Sequence, residues 1–305
     1  MTTSWLVPIL LKMILVYVLG AWFMKRMVGL PSRTQRFFLQ FLFCSIIALG
    51  FAAYRGELIL SGSFFVLVLI GFFNGLAAFH QWKAIDISLS KNSLFTFWDD
   101  IIAMTLSCII LHETKVFNWG IGIGILVSLA AVILFALHSY RKSRSNQKVT
   151  KTGIAFFYYV GVYSVIWGIA TFFMRYFALN QLPIGTFLAG WYSGACVAAT
   201  LILLFYKEKG QAAIIQNKTA KEKVALILSG VILSLYIIIA LALCYWSYEL
   251  APLNVVQPLF LVGEMVGPSL VGLYIYKEAK NLDRTEKLLF LLGIAGGTIV
   301  ALSFG

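Results

Sequence analysis

Residues 93–113 read SLFTFWDDIIAMTLSCIILHE, and residues 258–278 read PLFLVGEMVGPSLVGLYIYKE. The two segments match at a constant offset of 165, which aligns Asp99 in the first with Glu264 in the second. Each segment belongs to an apolar stretch long enough to span a bilayer, residues 88–111 and 252–276, and the carboxylate lies near the middle of that stretch. A carboxylate at that depth is costly and normally faces a cavity, a partner or an ion path. Its recurrence predicts a central site built by an internal repeat.

The composition excludes a soluble domain. Of the 305 residues, 61% are hydrophobic and only 12% are charged, and the mean hydropathy is +0.90. Such a chain is typical of an integral, multi-pass membrane protein. Because about 20 apolar residues span the hydrocarbon core as a helix, we predict ten spans. They cover residues 5–24, 35–53, 62–82, 88–111, 116–138, 153–178, 184–206, 224–247, 252–276 and 286–304.

The basic residues follow membrane topology and do not form a nucleic-acid-binding patch. The net charge is +12, and 20 of the 24 Lys and Arg residues fall in the first, third, fifth, seventh and ninth connections, against three in the even-numbered ones. The positive-inside rule therefore predicts cytoplasmic odd connections and both termini outside. The expected location is the inner cell membrane. The expected partners are the lipid bilayer and a small-molecule substrate, with no nucleic acid.

The four cysteines, one in each of four different spans, have neither metal-ligand spacing nor an arrangement for disulfides. We therefore predict no metal site and no cofactor. The basic connection 139–152 divides the chain into two units, 1–138 and 153–305, with five spans each. An odd number of spans per unit inverts the second unit relative to the first. The predicted fold is an all-α membrane protein with ten transmembrane helices arranged as two inverted five-helix repeats.

The order of these features resembles a known family. In each half a fourth span ends in an apolar-x-Glu motif, LHE at 111–113 and YKE at 276–278, and a Gly-rich fifth span follows. This pattern resembles the drug/metabolite transporter superfamily, EamA type, over essentially the whole chain. The resemblance implies ten helices around a central cavity that opens alternately to either side. Members move amino acids, nucleotide precursors, sugars or drugs, usually with both termini in the cytoplasm, opposite to the orientation that the charges predict here.

A polar stripe is predicted on one face of the fourth span. Asn92, Phe95 and Asp99 follow each other at spacings of three and four, so they share a helix face. Asp100 lies about 100° further around the helix and is either part of the site or a partner of a neighbouring helix. The corresponding stripe in the second half is Gln257, Phe260 and Glu264. We predict that these residues bind substrate or a coupled proton, with the two phenylalanines lining the cavity.

Other candidates have a structural and a functional interpretation. Lys12, deep in the first span, either pairs with Asp99 or Asp100 or binds a substrate carboxylate. His80 is a proton-relay candidate because histidine titrates near neutrality. Three aromatic residues could form a wall that holds a cation or pack against lipid and other helices. They are Trp98, Trp191 and Tyr192.

Two further pairs are predicted to be structural. Trp82 and Tyr248 are assigned to the interfacial aromatic belts. Glu113 and Glu278, at span ends in opposite membrane faces, are interpreted as structural or gating pairs. Their expected partners are Lys115 for the first and Lys277 or Arg284 for the second.

Together these observations favour a secondary transporter that moves a small polar or cationic metabolite, such as an amino acid or a related amine, by alternating access. Alternatives are a multidrug exporter of lipophilic cations and a non-transporting scaffold or lipid-handling protein. An enzyme is not expected, because the sequence has no metal-ligand spacing and no nucleophile with a plausible base. Substrate identity, direction, coupling ion and oligomeric state are left open.

Overall fold

The computed structural model describes residues 6–28, 30, 33–95, 97–113, 118–144, 147–206, 219–278 and 283–303, and all regular structure within them is helical. We number the helices along the chain. They are α1 (Leu6–Val28), α2 (Arg33–Tyr54), α3 (Gly62–Ile87), α4 (Leu89–Phe95), α5 (Phe97–Ile110), α6 (Trp119–Arg144), α7 (Gln147–Leu179), α8 (Ile184–Phe205), α9 (Ala220–Leu250), α10 (Leu253–Ile275) and α11 (Arg284–Leu302).

The helices confirm an all-α membrane protein. Among the described residues, eight helical segments are long and apolar enough to cross a membrane, counting α4 and α5 together as Leu89–Ile110. Within α6 a shorter apolar stretch covers Trp119–Phe135. Two segments are π-helical, Met13–Gly20 in α1 and Val271–Ile275 in α10. The connection around residue 212 and the first five residues lie outside the described part.

Glycine pairs one turn apart bring α3 and α8 into close contact. A Cβ at Gly71 would lie 1.9 Å from the Trp191 carbonyl oxygen, and a Cβ at Gly194 would lie 1.9 Å from the Val68 carbonyl oxygen. Gly75 and Gly190 complete two G-x-x-x-G motifs, a pattern that lets membrane helices pack backbone against backbone. This contact fixes the side chains beside the glycines, including Trp191.

A third G-x-x-x-G motif places α10 against the π-helical part of α1. A Cβ at Gly263 would lie 2.5 Å from the Tyr17 ring, and a Cβ at Gly267 would lie 2.5 Å from the Tyr17 carbonyl oxygen. Glu264 follows the first of these glycines directly. The close approach therefore puts the side chains of Tyr17 and Glu264 within hydrogen-bonding reach.

At one end of the bundle, Glu278 caps the start of α4. Its carboxylate accepts hydrogen bonds from the backbone N–H groups of Leu89 (3.0 Å) and Ser90 (2.9 Å), and it pairs with Lys25 at 3.3 Å. Lys25 also donates to the carbonyl oxygen of Ile85 near the end of α3. Burial raises the pKa of Glu278, but hydrogen bonds from Ser90 and Leu89, together with Lys25, bring it below its ordinary value.

At the other end, Glu113 caps the start of α10 in a matching arrangement. Its carboxylate accepts a hydrogen bond from the backbone N–H of Leu253 (3.0 Å) and pairs with Arg175 at 2.7 Å. Arg175 also donates to the carbonyl oxygen of Tyr248 near the end of α9. The predicted partner of Glu113, Lys115, lies outside the described residues.

The partner of Glu278 is thus Lys25, and the predicted pairing with Lys277 or Arg284 is wrong. The reason is physical: the first N–H groups of a helix have no intrahelical acceptor and carry partial positive charge, so a buried carboxylate is stabilised there.

The residue before each glutamate has a left-handed backbone, with φ of 56° at His112 and 57° at Lys277. These two residues are 165 positions apart, at the same offset as the sequence match.

The described connections gather at two ends. Numbered between the ten predicted spans, the first, third, fifth and ninth connections meet at one end of the bundle. The even-numbered connections meet at the other end. The contacts that join the first group are Arg33 with Asp86, Lys91 with Glu286, His138 with Asp283 and Lys25 with Glu278. Those that join the second are Gly185 with Glu57 and Arg175 with Glu113.

Candidate functional site

A cavity of about 210 Å³ lies between helices of both halves of the chain. Its polar lining includes a cation on α1, a carboxylate on α10 and amides on α2, α3 and α4. Aromatic side chains from α3, α7 and α8 form much of the remaining wall. The residues used below are Lys12, Tyr17, Gln40, Asn74, Trp82, Asn92, Tyr163, Trp167, Trp191, Tyr192, Cys244 and Glu264.

Three carboxylates cluster beside this cavity. Oxygen atoms of Asp99, Asp100 and Glu264 all lie within 4.8 Å of one another. Asp99 and Asp100 are 1% and 0% exposed, and of the three acids only Glu264 lines the cavity. The predicted proximity of Asp99 and Glu264 is therefore present, but Asp99 lies behind the cavity wall. Carboxylate oxygens at this spacing suit a hard cation. The prediction of no metal site considered the spacing of potential metal ligands along the sequence and did not consider this cluster.

Each acid of this cluster keeps one oxygen in a hydrogen bond. Asp99 Oδ1 accepts from the backbone N–H of Asp100 at 2.9 Å, and Glu264 Oε1 accepts from the Tyr17 hydroxyl at 2.8 Å. Asp100 Oδ1 accepts from the side-chain amide of Gln257 on α10. The second oxygen of Asp100 is buried without a partner among the described residues, whereas the Asp99 carboxylate also has the Tyr163 hydroxyl of the cavity wall as a neighbour. Asp100 is thus both a contact to a neighbouring helix and a member of the cluster.

Lys12 is buried and points into the cavity. Its Nζ lies 3.6 Å from the centre of the Phe260 ring and 5.2 Å from that of Tyr17, and it is 3.4 Å from the Cys244 sulfur. No carboxylate of the described residues lies within the 4 Å of a salt bridge to this nitrogen, so the predicted pair with Asp99 or Asp100 is absent. The ammonium is held instead by aromatic faces, which attract cations.

Several predicted cavity residues lie elsewhere. Phe95 packs in a separate cluster with Phe135, Phe156 and Phe157, although Asn92, three positions earlier, lines the cavity. Asn92 and Phe95 therefore do not line the cavity together, as the predicted stripe on the fourth span required. The helix is described as two segments, and residue 96 between them lies outside the described part.

Trp98 and His80 also lie away from the cavity lining. Trp98 is 37% exposed on the outside of the bundle. His80 Nδ1 is 2.9 Å from the carbonyl oxygen of Leu76, and its ring packs against Tyr158 and Tyr159. Nothing in these contacts links the imidazole to the carboxylate cluster.

The two residues assigned to the interfacial belts are buried. Trp82 is 1% exposed and lines the cavity, and Tyr248 is 0% exposed and donates a hydrogen bond to Gln257. The belt assignment is wrong for both, because position near a span end fixes depth but not which way the side chain points. Trp191 and Tyr192 line the cavity.

Sequence reasoning missed Tyr17, Gln40 and Asn74. Tyr17 is five residues after Lys12 in the same apolar span, where a tyrosine is unremarkable. The signal for Asn74 was available: it is an amide in the middle of a span, between Gly71 and Gly75. A polar residue inside a G-x-x-x-G motif lies at a helix contact and not toward lipid.

Comparison with known proteins adds information on the fold alone. No family model matches this chain. No curated protein matches it either. A solved structure, described only as a crystal structure of a protein, is similar with a TM-score of 0.60 and 13% identity over 99% of both chains. At that identity the likeness concerns the arrangement of helices and carries no statement about activity.

Proposed function

We propose that this protein is a ten-helix secondary transporter with inverted repeats that moves a small zwitterionic or cationic metabolite, an amino acid or a related amine. One observation carries the proposal: Lys12 from the first half and Glu264 from the second half line the same cavity. A buried cation and a half-buried carboxylate that are not paired with each other suit a ligand that carries both charges. Glu264 would bind the substrate ammonium, and Lys12 its carboxylate.

Pseudo-symmetric contacts support the inverted repeat. α3 packs on α8 as α9 packs on α2, and α5 packs on α7 as α10 packs on α1. Exchanging the two halves leaves this pattern unchanged. The last helices of the halves, α6 and α11, pack on each other, and the Ser128 hydroxyl donates to the Gly293 carbonyl oxygen 165 positions away.

The capped helix ends support alternating access between the two sides. Glu278 ties the second half to α4 at one end, and Glu113 ties the first half to α10 at the other. Rocking of one half against the other about the cavity would separate one of these contacts at a time. This matches the mechanism expected of inverted-repeat transporters, whose binding site lies near the midplane between the repeats. It also agrees with the proposed EamA-type family and with a location in the inner cell membrane.

The charge of the cluster supports a role for a cation. Three carboxylates within 4.8 Å with one nearby ammonium leave an excess of negative charge in a buried place, which is strongly unfavourable without compensation. A substrate ammonium or a coupled proton would provide that compensation. In this function Asp99 and Asp100 would hold the cation, and Glu264 would contact the cavity ligand.

The test is uptake into proteoliposomes that contain the purified protein, with a panel of radiolabelled amino acids and amines. Glu264→Gln and Asp99→Asn remove charge with little change in volume, and we expect transport to fall to near background with normal membrane yield. Glu249→Gln is the matched control, since Glu249 is an exposed carboxylate at the end of α9. Normal transport by both cluster variants would refute the assignment of the site.

A multidrug exporter is the second candidate, favoured by the aromatic lining of the cavity. Trp82, Trp167 and Trp191 all line it, and such rings bind lipophilic cations through their faces. The two functions differ in their use of Lys12, because a cation in the cavity opposes a purely cationic ligand. A lipophilic cation such as tetraphenylphosphonium should therefore bind better after Lys12→Met if this second function is correct.

A further inference from the structure

The cavity has a polar wall that the ionic residues do not use. Gln40, Asn74 and Asn92 line it, and each is at most 5% exposed. The side-chain oxygens of these three amides are buried and have no hydrogen-bond partner in the described part of the chain. The indole Nε1 of Trp191, another lining residue, is also buried and unpaired there. Most buried polar atoms in proteins have a partner, so four exceptions around one cavity point to a ligand.

These groups are held by rigid helix contacts. Asn74 lies between Gly71 and Gly75, where α3 meets α8 backbone to backbone, and Trp191 follows Gly190 in the same contact. Gln40 is on α2, which packs against α8 as well. Binding groups carried on tightly packed helices are pre-organised, so little entropy is lost when a ligand reaches them.

We propose that Gln40, Asn74, Asn92 and Trp191 form a side-chain subsite for an uncharged polar group, a carboxamide above all. This proposal rests on the proposed function, in which Lys12 and Glu264 hold the carboxylate and ammonium of the same amino acid. A carboxamide offers two N–H donors for the amide oxygens and one carbonyl acceptor for the indole N–H. A guanidinium has no acceptor, and an aliphatic side chain would leave all four atoms unpaired.

The electrostatics of the cavity agree with an uncharged group at this wall. Among the described residues that line the cavity, the single carboxylate is Glu264 on α10. The three amides are carried by α2, α3 and α4, and the indole by α8. A second cationic group on the ligand would therefore meet neutral oxygens and an N–H donor. The expected preferred ligand is an amino acid with a carboxamide side chain.

The experiment measures binding of L-glutamine and of L-norleucine, an apolar analogue of similar length, to the protein in lipid nanodiscs by isothermal titration calorimetry. A site built for hydrogen bonds rejects an analogue that lacks them, so we expect glutamine to bind at least tenfold more tightly. Asn74→Leu should weaken glutamine binding about tenfold and leave norleucine binding unchanged or improved. Gln40→Met and Trp191→Phe should show the same pattern.

Thr171→Val is the matched control, because the Thr171 hydroxyl is also buried and unpaired among the described residues but does not line the cavity. It should change neither affinity. Thermal unfolding without ligand gives an independent readout. An amide without a protein partner is replaced by an apolar side chain of similar size without loss of stability, so Asn74→Leu and Gln40→Met should keep or raise the Tm.

The outcomes separate the two proposals. Equal affinity for glutamine and norleucine, or an equal loss of both in the amide variants with a lowered Tm, would overturn the subsite and leave the transporter intact. Binding of both amino acids that survives Glu264→Gln would overturn the ionic site and the function built on it. Absence of binding and transport for every amino acid and amine tested would overturn both.

Discussion

Glu278→Gln tests the energetics of the capped helix ends. The substitution keeps the side-chain volume but removes the charge that holds Lys25 at 3.3 Å, and both side chains are mostly buried, at 14% and 11% exposure. It also turns an NH₂ group toward donors, since the carboxylate accepts from Leu89, Ser90 and the Ser88 hydroxyl. Breaking one partner of a buried ion pair costs about 3–5 kcal/mol. Because some exposure remains, we expect a loss of about 3 kcal/mol.

The loss should depend on pH in a defined direction. The folded pKa of Glu278 lies below its ordinary value of 4.5, so the charged form is favoured by folding. Its stabilisation is then complete above pH about 4.5 and is lost as the pH falls through the lowered folded pKa. The difference in Tm between wild type and Glu278→Gln should be constant from pH 6 to 8 and should shrink below pH about 4.5.

The assay is thermal unfolding of the purified protein in detergent at a series of pH values, with Glu249→Gln as the exposed control. The expected result is a Tm several degrees lower for Glu278→Gln at pH 7, and no shift for the control. A double-mutant cycle with Lys25→Met should give a coupling energy above 1 kcal/mol, because the two groups contact directly. A Glu278→Gln protein as stable as wild type at pH 7, or a difference that persists unchanged at pH 3, would refute this account of the cap.

Three further predictions concern the ligand, the packing and the topology. Lys12→Met should abolish transport of a zwitterion and spare its decarboxylated amine, measured side by side in proteoliposomes; equal loss of both would remove Lys12 as a selectivity residue. Gly71→Ala places a Cβ 1.9 Å from a backbone oxygen and should lower the Tm and the membrane yield, since overpacking costs about 1–3 kcal/mol or more. Gly122→Ala, with no atom of the described residues within 4 Å of the added Cβ, should be neutral. A single cysteine at Ala212 should be shielded from an impermeant thiol reagent in intact cells and one beside Thr3 should react, and the opposite labelling would contradict the charge argument.

Hydropathy and the repeat predicted much of the helical arrangement. The apolar runs gave helices close to their predicted bounds, such as Ile184–Phe205 for residues 184–206. The constant offset of 165 paired Asp99 with Glu264, and their carboxylates lie within 4.8 Å of one another. The helix bounds and the Asp99–Glu264 pair both depend on position along a span. That position can be read directly from where a residue lies in an apolar run.

Rotation about the helix axis was predicted less well. Asp99 and Glu264 lie close together, yet of the two only Glu264 lines the cavity, next to the face of α10 where Gly263 and Gly267 pack against Tyr17. Which face of a helix meets a neighbour depends on the residues of both helices. The sequence pattern of one span alone does not contain that information.

Long-range partners were the least predictable part. Glu278 contacts Lys25 and Leu89, which are far from it in sequence, and the expected partner Lys277 was chosen only for its proximity along the chain. A carboxylate at the end of a membrane span is stabilised by whichever helix start and cation the fold brings to it. The apolar-x-Glu motif shows where the carboxylate acceptor is, but it does not identify the groups that donate to it.

Glu264 belongs to the carboxylate cluster and to the cavity, and this double membership gives the proposed transporter a physical link between its two ligands. The three carboxylates lie within 4.8 Å of one another, and two unit charges at about that spacing interact by about 3.5 kcal/mol at an effective dielectric constant of 20, which corresponds to a few hundredfold in affinity. A cation held by Asp99 and Asp100 would therefore lower the affinity of Glu264 for a substrate ammonium by up to that factor, because the two ligands carry the same charge. By thermodynamic reciprocity the ammonium would change the affinity for the cation equally. Exchange of two ligands of like charge needs such mutual weakening, and here it would follow from the close spacing of Glu264 and the two aspartates.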